Sequence, residues 1–330
     1  MKDQDIRKLF SSFTDKNILI IGDSMIDAYM WGSVNRMSPE APVPVVEISK
    51  HENRLGGAAN VAMNIKSLGA RPILCSIIGD DIRGKELINL MKEENLCIDA
   101  IYTSNNRKTT IKTRIISEGK HQLRVDEEET NPILIQEEEN ILKIAQSHIS
   151  SKIDAIILQD YNKGLLTKRI IKEIISIAKS KNIYVIVDPK KDNFLEYIGC
   201  DMFKPNLKEI KEGMKINFDE DNQEELKNVT DSLRNILKSR NILLTLSSKG
   251  LCINSDKGFI HSPSYGGHVI DVSGAGDTVI SVASLLLSSN VDFKDISKIS
   301  SIAGGIVCQK VGVVTLDIKD LLKSTLETYK

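Results

Sequence analysis

An aspartate stands directly after a run of small residues in "HVIDVSGAGDTVISVASLLL", residues 268–287. A β-rich run, His268 to Val272, leads into Ser273–Gly276, and Asp277 then opens a long apolar, helix-forming segment. A carboxylate is favoured at a helix N-terminus, which carries partial positive charge. It would sit there as an N-cap, as it does at many helix starts. Alternatively, the amides of Gly274, Ala275 and Gly276 form an anion hole and Asp277 is the base beside it. The second reading needs a ligand-binding surface around these residues.

Three other stretches have residue types that would supply one. In "RLGGAANVAMNIKSLGA", 54–70, Gly56 and Gly57 precede a helical pattern and let a ligand approach the backbone closely. Asn60, one turn inside, would offer its amide to a sugar hydroxyl, although a tight loop and a small-residue helix explain the stretch equally well. In "KPNLKE", 204–209, Asn206 and Glu209 are three apart and share one helical face. Such a pair organises phosphate and water-bound Mg²⁺, or else it is a capping arrangement and nothing more. In "LTLSSKG", 244–250, Thr245 and Ser247 would contact a phosphate and Gly250 would permit close approach; an ordinary β-turn accounts for the same residues.

The elements that must position these residues follow from hydrophobic periodicity. Short β-branched runs at 17–22, 71–78, 154–160, 182–188 and 241–247 read as buried strands. Helical patterns lie between them at 57–68, 82–94, 137–149, 167–181 and 223–239. That alternation predicts a mostly parallel central sheet covered by helices on both faces, a three-layer α/β/α fold. Asp23, Asp27, Asp160, Asp188 and Ser247 then fall at carboxyl ends of strands, where open α/β sheets bind ligands. Residues 29–50 hold three prolines and alternating apolar positions, which excludes helix. Residues 109–126 read as a hairpin around Glu118-Gly119-Lys120. Together they predict a small β-lid inserted into a single domain spanning 1–330.

Bulk properties narrow the function classes. Charge is balanced at 44 basic against 45 acidic residues, so neither a nucleic-acid nor a membrane surface is indicated. The five cysteines are scattered without a C-x-x-C pair, which argues against zinc or a disulfide framework and for a reducing cytoplasm. The N-terminal residues lack a secretion-signal h-region, and no apolar run is long enough to cross a bilayer. There is no G-x-x-x-x-G-K-[ST] and no H-E-x-x-H, which removes P-loop and metalloprotease readings.

Taken in order, "IIGDSMID", "LGGAAN", "NLKE" and "DVSGAGDT" resemble the ribokinase-like (PfkB) family of carbohydrate kinases over nearly the whole chain. "RMSPEAPVPVVEI", "KTRIIS", "LRVDEE", "DYNKG" and "VDPK" are more narrowly similar to the D-glycero-D-manno-heptose-7-phosphate kinase domain of ADP-heptose synthesis. The resemblance implies ATP, Mg²⁺ and a sugar phosphate as ligands. It gives Asp277 the part of catalytic base and Gly274, Ala275 and Gly276 that of the anion hole. It assigns Asp27, Gly56, Gly57 and Asn60 to sugar hydroxyls. Asn206, Leu207, Lys208 and Glu209 match the ATP and Mg²⁺ motif, Glu209 acting through water; Thr245, Ser247 and Gly250 match the nucleotide loop. Asp271 matches an acid that holds a monovalent cation such as K⁺ in several relatives. A homodimer paired through the lid is also implied.

The reacting hydroxyl is expected to be the anomeric one, and the substrate's own phosphate needs a cationic clamp. Arg114 and Arg124 on the hairpin and Lys190 after "VDP" are the candidates, with Arg36 behind them. Relatives of this kind are often fused to a nucleotidyltransferase with an H-x-G-H motif; these 330 residues contain none, so a kinase without that domain is expected. Two departures stand out. Ser273 replaces a Thr, which keeps the hydroxyl. In "LQDYNKG", Gln159 and Asn162 replace Ser and Gly, and Asn tolerates the left-handed backbone. Rival readings are a kinase of fructose 1-phosphate or a ribose-like sugar, and a catalytically silent sugar-binding member. A dinucleotide-dependent oxidoreductase would need a G-x-G-x-x-G after the first strand, which is absent.

Overall fold

A computed structural model describes residues 1–267 and 269–330. Nine strands form the central sheet. In spatial order they are β13 (Gly258–Ser262), β12 (Leu251–Ser255), β11 (Asn241–Thr245), β10 (Met202–Phe203) and β9 (Tyr184–Asp188). β8 (Ala155–Gln159), β1 (Asn17–Gly22), β4 (Arg71–Gly79) and β5 (Ile101–Ser104) complete it. From β11 to β5 every pairing is parallel; β12 alone runs the other way, pairing antiparallel with β11 and, in an edge hairpin, with β13. The parallel strands are buried on both faces, which is why they read as continuous apolar runs.

The period-2 alternation within β1 divides the core. Ile18 and Ile20 pack on one side with α2 (Ala58–Ser67), α8 (Ala275–Ser288) and α9 (Phe293–Val307). Leu19 and Ile21 pack on the other with α4 (Ile135–Ile149), α5 (Lys168–Ser180) and α7 (Gln223–Leu237). The result is the three-layer α/β/α sandwich that the strand–helix alternation predicts. Helix α8 is apolar nearly all round and buried from Asp277 to Ser288, because α2, α9 and the sheet enclose it. Its serines survive burial by bonding back one turn: Ser281 Oγ to the Asp277 carbonyl and Ser284 Oγ to Ile280, each at 2.7 Å.

A second, four-stranded sheet has the order β3 (Pro44–Gly57), β2 (Ser24–Met37), β6 (Thr110–Ser117), β7 (Lys120–Glu127). β6 and β7 turn tightly at Glu118 and Gly119, with φ of 51° and 74°, the left-handed pair that a two-residue hairpin turn demands. β2 and β3 are 14 residues each, so this sheet begins earlier and ends later than the proline pattern of 29–50 suggested. Asp27 consequently lies inside β2 rather than in a loop after β1. The near half of β2 is buried and its far half largely exposed, so the sheet stands out from the body where the lid was expected.

The expected strand at His268–Val272 does not form over Val269–Val272, and His268 lies outside the described residues. The sequence also gave no sign of β5 or of the edge hairpin. Among the described residues no helix is long and apolar enough to cross a membrane.

Candidate active site

Asp277 is the third residue of α8, not its cap: Gly274 holds the N-cap position with φ 79°. That conformation suits glycine, and a Cβ there would also come within 3.2 Å of Asn60 Nδ2. The Asp277 side chain turns inward and is 5% exposed. Its Oδ2 accepts from Asn60 Nδ2 at 2.7 Å, and its Oδ1 accepts from Tyr161 Oη at 2.8 Å and Gln159 Nε2 at 3.1 Å. Burial pushes its pKa up to about 6, against the stabilising bonds from Asn60 and Tyr161; the Asp188 charge adds to the rise and Lys204 opposes it. A carboxylate poised near neutrality in a partly closed site is suited to proton abstraction.

Apart from Asn60 on α2, the residues around it come from the carboxyl ends of strands or the loops just beyond them. Gln159 ends β8, and its Nε2 also donates to Asp188 Oδ2 at 3.2 Å. Asp188 ends β9 and pairs with Lys204 Nζ at 3.0 Å, both side chains 5% exposed or less. Tyr161 opens the loop after β8, which Asp23 holds in shape by accepting the amides of Tyr161, Lys163 and Leu165 at 2.9, 3.0 and 3.2 Å. Asn162 takes the left-handed backbone at φ 53°, as its residue type allows.

A cavity of about 730 Å³ opens from Asp277 along the strand ends. Gly274, Ala275 and Gly276 form one wall. Lys190, Asn206, Leu207, Lys208, Glu209, Thr245, Ser247 and Gly250 line it as well, together with Tyr161, Asp188 and Lys204. The 204–209 motif is a capping box at the start of α6 (Leu207–Met214): Asn206 Oδ1 accepts from the Glu209 amide, and Glu209 Oε2 from the Asn206 amide, each at 2.9 Å. Asn206 also bridges to Thr245, which brings the 204–209 and 244–250 stretches together.

Several sequence-based assignments change in detail. The amide of Ala275 donates to the Val272 carbonyl at 3.2 Å, so an anion hole here would rest on the neighbouring first-turn amides, which lack a helical acceptor. Asn60 directs one N–H of its amide to Asp277. Lys190 does not join the lid arginines. It pairs with Glu209 and lies 5.4 Å over the Tyr161 ring, on the cavity wall with the 204–209 motif. Burial works against its charge, but Asp188 and Glu209 outweigh that and raise its pKa.

On the lid side, Arg114 Nη1 bonds Asp27 Oδ1 at 2.5 Å and its guanidinium lies 5.3 Å over the Tyr29 ring. Gly56 leaves room for this carboxylate, since a Cβ there would meet Asp27 Oδ2 at 2.2 Å. Gly57 follows as the N-cap of α2. Arg124 is the direct cross-strand partner of Arg114, yet its side chain is 58% exposed and paired with Asp126. Arg36, on the outer half of β2, is not among the cavity-lining residues.

Asp271 ties two loops together: Oδ1 accepts the Ser273 amide at 2.9 Å and Oδ2 the Gly312 amide at 2.8 Å. Burial opposes its charge but these bonds prevail, holding the carboxyl below the usual range. Among the described residues no group of three or more His, Cys, Asp or Glu side chains is gathered for a metal ion. Both Glu209 oxygens already have protein partners, so the donor set fits a Mg²⁺ held through water and delivered with nucleotide phosphates, not a protein-built cage.

From the sequence Asp188 was placed only at a ligand-binding strand end and Gln159 only noted as a departure, while Tyr161 and Lys204 were given no role. Their signal was positional: each stands at or just beyond the carboxyl end of β8, β9 or β10.

Comparison with known proteins agrees with this geometry. Residues 15–320 match the pfkB family of carbohydrate kinases. The bifunctional protein HldE of Sulfurimonas denitrificans is 38% identical over 326 residues, covering 98% of this chain and 67% of that protein. HldE of Helicobacter pylori strain G27 is 35% identical over 314 residues, 95% of this chain and 67% of that protein. The chain thus spans about two thirds of the length of these relatives. Among solved structures, Escherichia coli phosphofructokinase-2 in complex with potassium superposes with a TM-score of 0.78 at 16% identity, covering 96% of this chain and 99% of that one. Arabidopsis thaliana ribokinase complexed with ribose and ATP gives 0.73 at 16% identity, with 94% and 98% covered. At that identity the structures share the fold with this chain, while the family match and the HldE relatives carry descent. The chain belongs to the pfkB family of carbohydrate kinases.

Proposed function

We propose that this kinase transfers the γ-phosphoryl group of ATP to the anomeric C1 hydroxyl of D-glycero-D-manno-heptose 7-phosphate, giving the 1,7-bisphosphate. The observation that carries the reading is the position of Asp277. It is a buried carboxylate with a raised pKa, bonded on one side to Asn60 of the lid-proximal helix and facing on the other a cavity lined by the nucleotide-side motifs. The heptose assignment is supported by the HldE relatives and by the lid motifs "SPEAPVPVV" and "KTRIIS".

In this reading Asp277 takes the proton of the C1 hydroxyl as that oxygen bonds to the γ-phosphorus and the bond to the ADP oxygen breaks. The first-turn amides of α8 around Gly276, with the buried Lys204 ammonium close by, receive the charge on the transferring oxygens. Asn206, Thr245, Ser247 and Gly250 hold the nucleotide, and Glu209 orients Mg²⁺ through water. Bound Mg²⁺ would neutralise charge on the phosphates. We assign K⁺ to the turn that Asp271 builds with Ser273 and Gly312, where an ionised carboxylate retains lone pairs beyond its two amide bonds.

Asp27, held by Arg114, forms the sugar side with Gly56 and Gly57, and Arg124 supplies charge toward the 7-phosphate. The 330 residues are read as one kinase domain with the lid inserted, working in the cytoplasm. Exposed Leu123 and Val125 on β7 and Ile48 on β3, both edge strands, support a second copy pairing lid to lid.

A coupled ADP-release assay across heptose 7-phosphate, fructose 1-phosphate, fructose 6-phosphate and ribose tests the assignment. A kcat/KM for the heptose phosphate at least tenfold above the others is expected. A preference for any other sugar would refute the substrate while leaving the family intact.

A further inference from the structure

We propose that Tyr161 is a positioning residue for the base: with Gln159 it occupies Oδ1 of Asp277 and leaves Oδ2, beside Asn60, as the oxygen that takes the substrate proton. This rests on the assignment of Asp277 as base.

An ionised carboxylate offers about four lone-pair sites. Tyr161 Oη and Gln159 Nε2 fill the two on Oδ1, and Asn60 Nδ2 fills one on Oδ2. One site on Oδ2 is left, so the approaching hydroxyl has a single place to bond. Three donors reaching the carboxylate from two different elements also fix its rotation, and a base held in one orientation needs no reorganisation when substrate arrives.

The phenol is built for donation. Burial, and then the neighbouring Asp277 charge, pushes its pKa far above the ordinary value, so it keeps its proton throughout the working range. The ring is fixed from both ends. The Tyr161 amide donates to Asp23, and the Lys190 ammonium lies over the ring face while pairing with Glu209 of the nucleotide-side motif. Tyr161 thereby links the nucleotide wall to the base. The other charged groups around the base are Asp188 from the end of β9, Lys204 after β10 and Lys190, with Asp27 of β2 facing the phenol. All of them persist when only the hydroxyl is removed.

The test is the pH profile of kcat/KM for the parent, Tyr161→Phe and Asp277→Asn, with 13C NMR titration of aspartate carboxylates in the parent and the Phe variant. The parent should rise through a limb near pH 6, because the base must be ionised. Losing a donor to the charged form raises the carboxylate pKa, so Tyr161→Phe should shift the limb and the NMR midpoint upward by about one unit. At high pH its plateau should fall by less than roughly tenfold. A limb and midpoint within about 0.2 unit of the parent, with Asp277→Asn inactive, would overturn the positioning role. Near-parental turnover in Asp277→Asn would instead remove the base assignment and the proposal with it, an outcome read from that variant alone.

Discussion

Asn60 Nδ2 donates to Asp277 Oδ2 at 2.7 Å across 217 residues of sequence, joining the first turn of α2 to the first turn of α8. Each helix starts from a glycine with positive φ, Gly57 at 59° and Gly274 at 79°. Two helix N-termini therefore converge on one carboxylate, and the positive ends of their dipoles favour negative charge there.

Replacing Asp277 by Asn should remove most turnover, by roughly 10² to 10⁴, because general-base assistance is of that size. The fold should persist. The folded-state pKa of about 6 lies above the ordinary 3.8, so stability from the protonated form is present at low pH and lost as pH rises through 6. Asn cannot ionise and escapes that loss, which amounts to at most about 3 kcal/mol. The Tm difference, variant minus parent, should therefore increase between pH 4.5 and pH 7.5. A difference that falls over this range contradicts the raised pKa.

Lys190→Met should weaken nucleotide more than sugar, since Lys190 pairs with Glu209 on the nucleotide wall. Loss of a charge-assisted contact corresponds to roughly tenfold or more in KM for ATP. Steady-state kinetics with each substrate varied in turn will distinguish the sites. A rise confined to the sugar phosphate would return Lys190 to the substrate clamp.

The two lid arginines should part company. Arg114 is 13% exposed and its loss leaves Asp27, 6% exposed, without its cation; breaking such a pair costs about 3–5 kcal/mol. Arg114→Ala should lower Tm and impair phosphorylated and unphosphorylated sugars alike. Arg124 is exposed, and its pair with Asp126 contributes at most about 1 kcal/mol to stability. Arg124→Ala should leave Tm nearly unchanged and selectively weaken the phosphosugar. Equal loss of both sugars in Arg124→Ala would place the phosphate clamp elsewhere.

The α/β/α layering was legible because buried parallel strands announce themselves: the run 17–22 became β1 without adjustment, and α2, α3 (Ile82–Glu93) and α5 followed their helical periods within two residues. The edge hairpin β12–β13 was not, since its two five-residue strands carry polar residues and a Gly-bounded turn that read equally as loop. Asp277 was legible from its glycines. Tyr161 was not, because the "DYNKG" stretch matched as a whole and gave its tyrosine no role; only the folded loop, fixed by Asp23, turns its hydroxyl onto a carboxylate 116 residues away. The surroundings of Lys190 were hidden for a related reason. Its charge was evident in the sequence, but the side of the cavity it faces depends on where α6 begins.

The most direct test of the phosphoryl-transfer reading is 31P NMR of the product made from heptose 7-phosphate, ATP and Mg²⁺. One equivalent of ADP should form together with a second phosphate resonance split by the anomeric proton, and Asp277→Asn should give neither within the same time. Phosphate on any other hydroxyl, or ADP released without a new sugar phosphate, would contradict transfer to C1.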